Sequence, residues 1–206
     1  VARLLIETDP DNIDNENDYD KTPLCIAAQK GHYTLVQLLV KARAYVNCTD
    51  RDGWAILSTV ASDGHETIAR ALMEAGADVN DRVDDNYTAL WFAAESGHEA
   101  VVRMLIKAGA RVNDALTPLH VAAAKGHLAV VRALIELGAD INKCGYHDRG
   151  TPLFHAAENG HEAVVWALIE AGADVNKADS DGAPLAIAVQ NGHETIVKIL
   201  KDQGAA

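Results

Sequence analysis

Between Leu128 and Glu136 the chain reads Leu-Ala-Val-Val-Arg-Ala-Leu-Ile-Glu, with Val130, Val131, Leu134 and Ile135 recurring at i, i+1, i+4 and i+5. That spacing gathers four branched side chains into one stripe of a helix, a stripe suited to burial between neighbouring helices. Just before it, Thr117-Pro-Leu-His-Val-Ala-Ala-Ala-Lys-Gly126 predicts a shorter helix. Thr117 is expected to cap it, and Pro118 to be its first residue, where the amide hydrogen that proline lacks has no helical partner anyway. Leu119, Ala122 and Ala123 share one face, and the small alanines let a second helix come close. Gly126 ends this helix through a left-handed turn that a residue without Cβ adopts without penalty. Gly138 stops the helix that follows.

The same two-helix phrase recurs along the chain: GHEAVVRMLIKAGA starts at Gly97, GHLAVVRALIELGA at Gly126 and GHEAVVWALIEAGA at Gly160. Gly-His pairs stand at Gly31-His32, Gly64-His65, Gly97-His98, Gly126-His127, Gly160-His161 and Gly192-His193, in steps of 33, 33, 29, 34 and 32 residues. Such a period marks a stacked array in which no unit buries its apolar face alone. The pattern therefore predicts an all-α structure with two helices per unit, short turns and no central sheet.

TPLHVAA followed by GHLAVVRALIELGADIN resembles the ankyrin repeat, whose signature is T-P-L-H-x-A at a period of about 33 residues. Variants stand at Thr22 (TPLCIAA), Thr88 (TALWFAA), Thr151 (TPLFHAA), Ala55 (AILSTVA) and Ala183 (APLAIAV), so the resemblance covers nearly all 206 residues. It implies an ankyrin-repeat solenoid of stacked helix-turn-helix units with projecting β-turn or hairpin loops. On it the chain divides into a partial repeat at 1–18, five repeats at 19–51, 52–84, 85–113, 114–147 and 148–179, and a C-terminal repeat at 180–206.

Two departures stand out. Val1–Glu7 aligns with the second helix Val101–Lys107 and lacks a partner helix, so it is expected to derive from a longer array and to open first in hydrogen exchange. At the other end Lys198, Lys201, Asp202 and Gln203 give the last helix a more polar, cap-like surface. The segment Arg111–Pro118 is shorter than its relatives: Asp114 follows Asn113 at once, where Asp52 follows Asn47 by five places. The missing residues belong to a projecting turn, which the stack tolerates losing.

Charge narrows the function. A net charge of −12 argues against nucleic acid as a partner, since phosphate affinity comes from clustered Lys and Arg. Seven carboxylates and one Arg fall in the first twenty residues, making Asp9–Asp18 an acidic turn to which a basic partner could dock. No apolar run approaches the roughly 18 residues of a membrane helix. Cys25, Cys48 and Cys144 form no Cys-x-x-Cys pair and are expected as small, semi-buried fillers rather than a disulfide framework or zinc site. The expected setting is intracellular, cytoplasmic or nuclear, for a soluble, monomeric array.

Candidate chemistry is sparse. The Gly-His histidines lie one repeat apart, too far to share an ion with bonds of about 2 Å, and are expected to hydrogen-bond loop backbone. No hydrolase, zincin or phosphate-loop motif occurs, so no catalytic residue, metal or cofactor is expected. Gln37, Arg70, Arg103, Arg132, Trp166 and Lys198 occupy one equivalent place on the second helices and form an outer stripe. There Arg70 to Glu74 and Arg132 to Glu136 are expected as i,i+4 pairs.

The ankyrin resemblance implies that partners bind the hairpin tips and the exposed side of the first helices. Carried over position by position, that surface comprises Tyr19 and Lys21, then Arg51 and Trp54, then Arg82, Asp84 and Tyr87, and lastly Tyr146, His147 and Arg149. Tyr, Trp and Arg are the types enriched in interface hot spots. The expected function is a non-catalytic scaffold presenting a rigid concave groove to a partner protein. The alternative is the regulatory or targeting part of a larger enzyme, receptor or effector.

Overall fold

In the computed structural model, which describes residues 12–50, 52–83, 87–114, 117–145, 150–178 and 182–206, threonine hydroxyls begin three of the first helices. Thr22 accepts the Cys25 N–H at 3.2 Å, Thr88 that of Trp91 at 3.4 Å and Thr151 that of Phe154 at 3.1 Å. Each bond satisfies an amide that the first helical turn leaves without a partner.

Twelve helices follow one another among the described residues. The first helix of each pair carries an odd number: α1 (Pro23–Gln29), α3 (Ile56–Ser62), α5 (Ala89–Glu95), α7 (Pro118–Lys125), α9 (Pro152–Glu158) and α11 (Pro184–Gln190). The second carries an even one: α2 (Tyr33–Lys41), α4 (Glu66–Glu74), α6 (Glu99–Lys107), α8 (Leu128–Glu136), α10 (Glu162–Glu170) and α12 (Glu194–Asp202). Each odd helix packs on its even partner and on the odd helices before and after it, and the even helices contact one another likewise, so the molecule is two parallel rows.

The core lies between the rows and is graded by size. Ala27, Ala61, Ala93, Ala122, Ala156 and Ala188 are buried along the odd row, letting its backbones approach, while Leu39, Leu72, Leu105, Leu134, Leu168 and Leu200 fill the space from the even row. In α8 the predicted stripe shifts by one place: Val130, Val131 and Leu134 are fully buried, but Ala133 joins them and Ile135 is only partly covered. The segment Val1–Glu7, expected as an unpaired helix, lies outside the described residues.

Thr117 departs from its expected role. It stands at the N-cap of α7, yet its hydroxyl bonds His120 Nδ1 and no helical amide. The imidazole is buried and its Nε2 faces the Gly150 carbonyl at 3.0 Å, so Nε2 carries the proton and Nδ1 accepts from the threonine. The competing ring, absent at this place from the other capped helices, takes the hydroxyl away.

The Gly-His pair is a seam between repeats. His98 Nε2 donates to the Ser62 carbonyl at 3.0 Å, His127 to Glu95 at 2.8 Å, His161 to Ala124 at 2.9 Å and His193 to Glu158 at 3.0 Å. The acceptors are last-turn carbonyls of the preceding odd helix rather than loop backbone. Each histidine thus satisfies an orphan C-terminal group of its neighbour. The ring also lies over the preceding repeat's glycine: at Gly126, whose φ is +77°, an added Cβ would sit 2.6 Å from His161.

A second seam was not anticipated. Asn47, Asn80, Asn113, Asn142 and Asn176 accept, through Oδ1, the N–H of Asp78, Arg111, Asp140, Asp174 and Ala206 at 2.8–3.0 Å. Asp14 does the same for Tyr45 N–H at 2.9 Å, extending the ladder toward the N-terminus. The shortened turn leaves this intact, and Lys143 Nζ closes over it on the carbonyls of Asn113 at 2.5 Å and Asp114 at 2.9 Å.

Two of the projecting loops are flanked by short antiparallel pairing. β1 (Arg82–Val83) pairs antiparallel with β2 (Tyr87–Thr88), and Thr49 bridges Ala55. In α3 the buried Ser58 hydroxyl has no hydrogen-bond partner among the described residues. Because an unsatisfied buried hydroxyl is destabilising and alanine is the better helix former, Ser58→Ala is expected to stabilise the chain by about 1 kcal/mol. A urea midpoint lowered by that substitution would contradict it.

Candidate protein-binding face

Two equivalent turns present Lys21 and Trp54 ahead of α1 and α3, and Tyr87 stands at the same place ahead of α5. In the first, Asn17 Oδ1 accepts from the N–H of Tyr19 at 3.0 Å and of Lys21 at 3.1 Å. Asp50, one period later, accepts from Asp52 at 3.1 Å and Trp54 at 3.0 Å. These side-chain bonds to backbone are what a tight turn asks of Asn and Asp. Tyr19 stands out from its turn at 68% exposure.

The turns are tied together by charge. Lys21 Nζ bridges Gln29 Oε1 at 3.1 Å and Asp50 at 3.4 Å, and Arg82 Nη2 reaches Asp114 at 3.0 Å. Partly exposed pairs of this kind contribute little stability. Their use is orientation, since each fixes one turn relative to the next.

Between them lies an aromatic cluster. Trp54 packs on Phe92 with ring centroids 4.4 Å apart, Tyr87 on Trp91 at 4.5 Å and on Phe92 at 5.9 Å, and Trp91 meets Phe92 edge-on at 5.2 Å. Trp54, Tyr87 and Trp91 are half-buried and Phe92 is buried, so the cluster is rooted in the array with its rim in solvent. Trp54 and Tyr87 are thus brought together through Phe92. Trp91 and Phe92 were missed by sequence reasoning because they sit inside the packing motif TALWFAA. The signal was available: Trp91 occupies the place of Cys25, Ser58 and His120 in the other repeats.

Farther along the inner row, His155 Nδ1 meets Glu158 at 3.2 Å and Lys125 Nζ meets Glu95 at 3.8 Å. Arg51, Asp84, Tyr146, His147 and Arg149 lie outside the described residues. Among the described residues no three His, Cys, Asp or Glu side chains gather as a metal site would require. No helix there is long and apolar enough to cross a membrane.

The outer stripe differs from expectation. Arg103 bonds Glu99 of its own helix at 2.8 Å and Glu136 of the next repeat at 2.8 Å, hydrogen bonds that hold its guanidinium above even its usual range. Glu136 is therefore engaged across the seam and not by Arg132, and among the described residues neither Arg70 nor Arg132 makes an ion pair. Trp166 is 42% exposed on this stripe.

Of the cysteines expected as semi-buried fillers, Cys144 is instead exposed, whereas Cys25 and Cys48, 23 residues apart, are both buried and both held by Thr22.

A model of ankyrin repeats in three-copy units matches residues 1–83, 27–115, 81–144 and 143–206. The chain belongs to the ankyrin repeat family. Among solved structures it is similar to the crystal structure of the human ASB11 ankyrin repeat domain, with a TM-score of 0.84 and 29% identity, covering 90% of this chain and 85% of that one. No curated protein matches the sequence. Ankyrin repeats generally serve as protein-interaction modules, and their fold is typically non-catalytic.

Proposed function

We propose that this ankyrin array is a non-catalytic, monomeric scaffold whose partner protein docks on the turn and odd-helix face, centred on the units at 52–84 and 85–113. The aromatic cluster of Trp54, Tyr87, Trp91 and Phe92 supports this reading. It combines rigid rings rooted in the core with an exposed rim, the composition of a binding hot spot. Tyr19, Lys21 and Arg82, on the same side of the array, are assigned to its surround, and the sequence adds Arg51, Asp84, Tyr146, His147 and Arg149 as candidate partner contacts. The overall acidity favours a protein partner over nucleic acid, and the unpaired cysteine spacing favours a cytoplasmic or nuclear setting.

A rigid array loses little conformational entropy on binding, so a few desolvated anchors carry most of the affinity. With a partner captured from the source cell, Trp54→Ala is expected to weaken binding by about 2 kcal/mol, roughly thirtyfold, mostly through faster dissociation. Trp166→Ala on the outer stripe is expected to leave it unchanged. Surface plasmon resonance on both variants, with melting curves to confirm folding, makes the comparison. Loss of binding in Trp166→Ala alone would move the functional face to the outer row.

A further inference from the structure

Within the unit at 19–51 the fold brings Cys25 of α1 and Cys48, which stands just ahead of the bridge residue Thr49, to the same threonine. Only 7% of Cys25 and 6% of Cys48 is exposed, so the thiols are held in a shared, water-poor site. Thr22 organises it: its hydroxyl accepts the Cys25 N–H at 3.2 Å and donates to the Cys48 sulfur at 3.4 Å. The Cys48 carbonyl accepts the Ile56 N–H at 3.1 Å, fixing that backbone to the start of α3. Both cysteine side chains thus meet around one threonine hydroxyl.

Of the two, Cys25 lines a narrow cleft with Lys21, Gln29, Asp50, Trp54 and Thr59, and Cys48 is not among its lining residues. We propose that Cys25 and Cys48 are an oxidation site, joined as an intramolecular disulfide when a peroxide enters this cleft, with Cys25 attacking first and Cys48 resolving.

Hydrogen bonds from Cys48 and then Thr22 lower the Cys25 pKa to about 7, against the opposing effects of burial and of Asp50. Cys48 is pushed the other way, since it retains the proton that it donates to Cys25. The thiolate is the reactive form. The Cys25 sulfur attacks one peroxide oxygen, the O–O bond breaks, and the departing oxygen is protonated to water, leaving a sulfenic acid. The Cys48 sulfur then attacks the Cys25 sulfur. The S–S bond forms, the S–O bond breaks, and the hydroxide leaves with the Cys48 proton as a second water. Each sulfur gives up one electron and the peroxide takes both.

The test treats the whole folded chain with hydrogen peroxide, quenches with an alkylating reagent and digests with trypsin under non-reducing conditions. The expected product joins peptide 22–30 to peptide 44–51 with loss of two hydrogens, and dithiothreitol separates them again. Cys48→Ser is expected to stop at the sulfenic acid, trapped on Cys25 by dimedone, and Cys25→Ser to leave Cys48 as a thiol. Cys144, exposed on the same molecule, is the internal control for oxidant dose. Oxidation of Cys144 with Cys25 and Cys48 both still alkylated would overturn the proposal, as would a linkage that forms only in urea.

Discussion

Gly126→Ala is expected to destabilise the array by about 3 kcal/mol, while Gly138→Ala, at the end of the following helix, costs about half as much. Both glycines have positive φ, +77° and +92°, so an alanine at either suffers left-handed strain of about 1–2 kcal/mol. They differ in surroundings. The new Cβ at position 126 meets the His161 ring at 2.6 Å, but at position 138 it meets nothing within 4 Å. The ring is anchored by its 2.9 Å bond to the Ala124 carbonyl and cannot withdraw without giving up that cap. Overpacking of this kind costs about 1–3 kcal/mol. In a double-mutant cycle, His161→Ala is expected to recover part of the Gly126→Ala loss, because the two changes relieve one clash. Urea unfolding of the four proteins provides the measurement, and equal costs at 126 and 138 would show that the ring does not constrain the glycine.

Leu134→Ala is expected to cost about 3 kcal/mol, near the middle of the range for a buried leucine, and Leu200→Ala distinctly less. Both side chains are fully buried in equivalent places. Leu134 lies in α8, packed on α6, α7 and α10, whereas Leu200 lies in α12, which packs on α10 and α11 alone. A cavity in the middle weakens two interfaces and one at the end weakens one. In a nearest-neighbour array the central lesion also uncouples the flanks, so the melting curve of Leu134→Ala should broaden or split while that of Leu200→Ala stays single. A larger loss at Leu200 would contradict the one-dimensional account.

The alanines at Ala122 and Ala123 and the valines at Val130 and Val131 made the helix rows legible, because helix period and burial are local properties of a sequence. Gly126 was legible for the same reason, since its conformation is set by its own residue type. What crosses from one repeat to the next was not. Arg103 reaching Glu136 and the asparagine ladder depend on the stacking register, which no window within a repeat contains, while Cys25 meeting Cys48 depends on how one repeat folds its projecting turn back onto its own first helix. The binding face was half visible: Trp54 and Tyr87 drew notice as turn aromatics, while Trp91 and Phe92 were hidden by a motif whose neighbours use those places for packing. Thr117 failed as a cap because of one local competitor, His120, whose bond to Gly150 is itself a contact between repeats.

The two ladders give each seam a direction. Where both form, the later repeat gives its histidine N–H to a helix carbonyl and its backbone N–H to an Asn Oδ1 of the earlier repeat, and Asn80, Asn113 and Asn176 return an amide N–H to a glycine carbonyl of the later one. A repeat therefore has a leading edge and a trailing edge of fixed and complementary design, like couplings on railway wagons. Any interior unit carries a matched coupling at both ends, so a gene that duplicated or lost one whole unit would encode a chain whose remaining joints still fit. The array's length is thus open to change in steps of one repeat, while reversal of a single unit is forbidden.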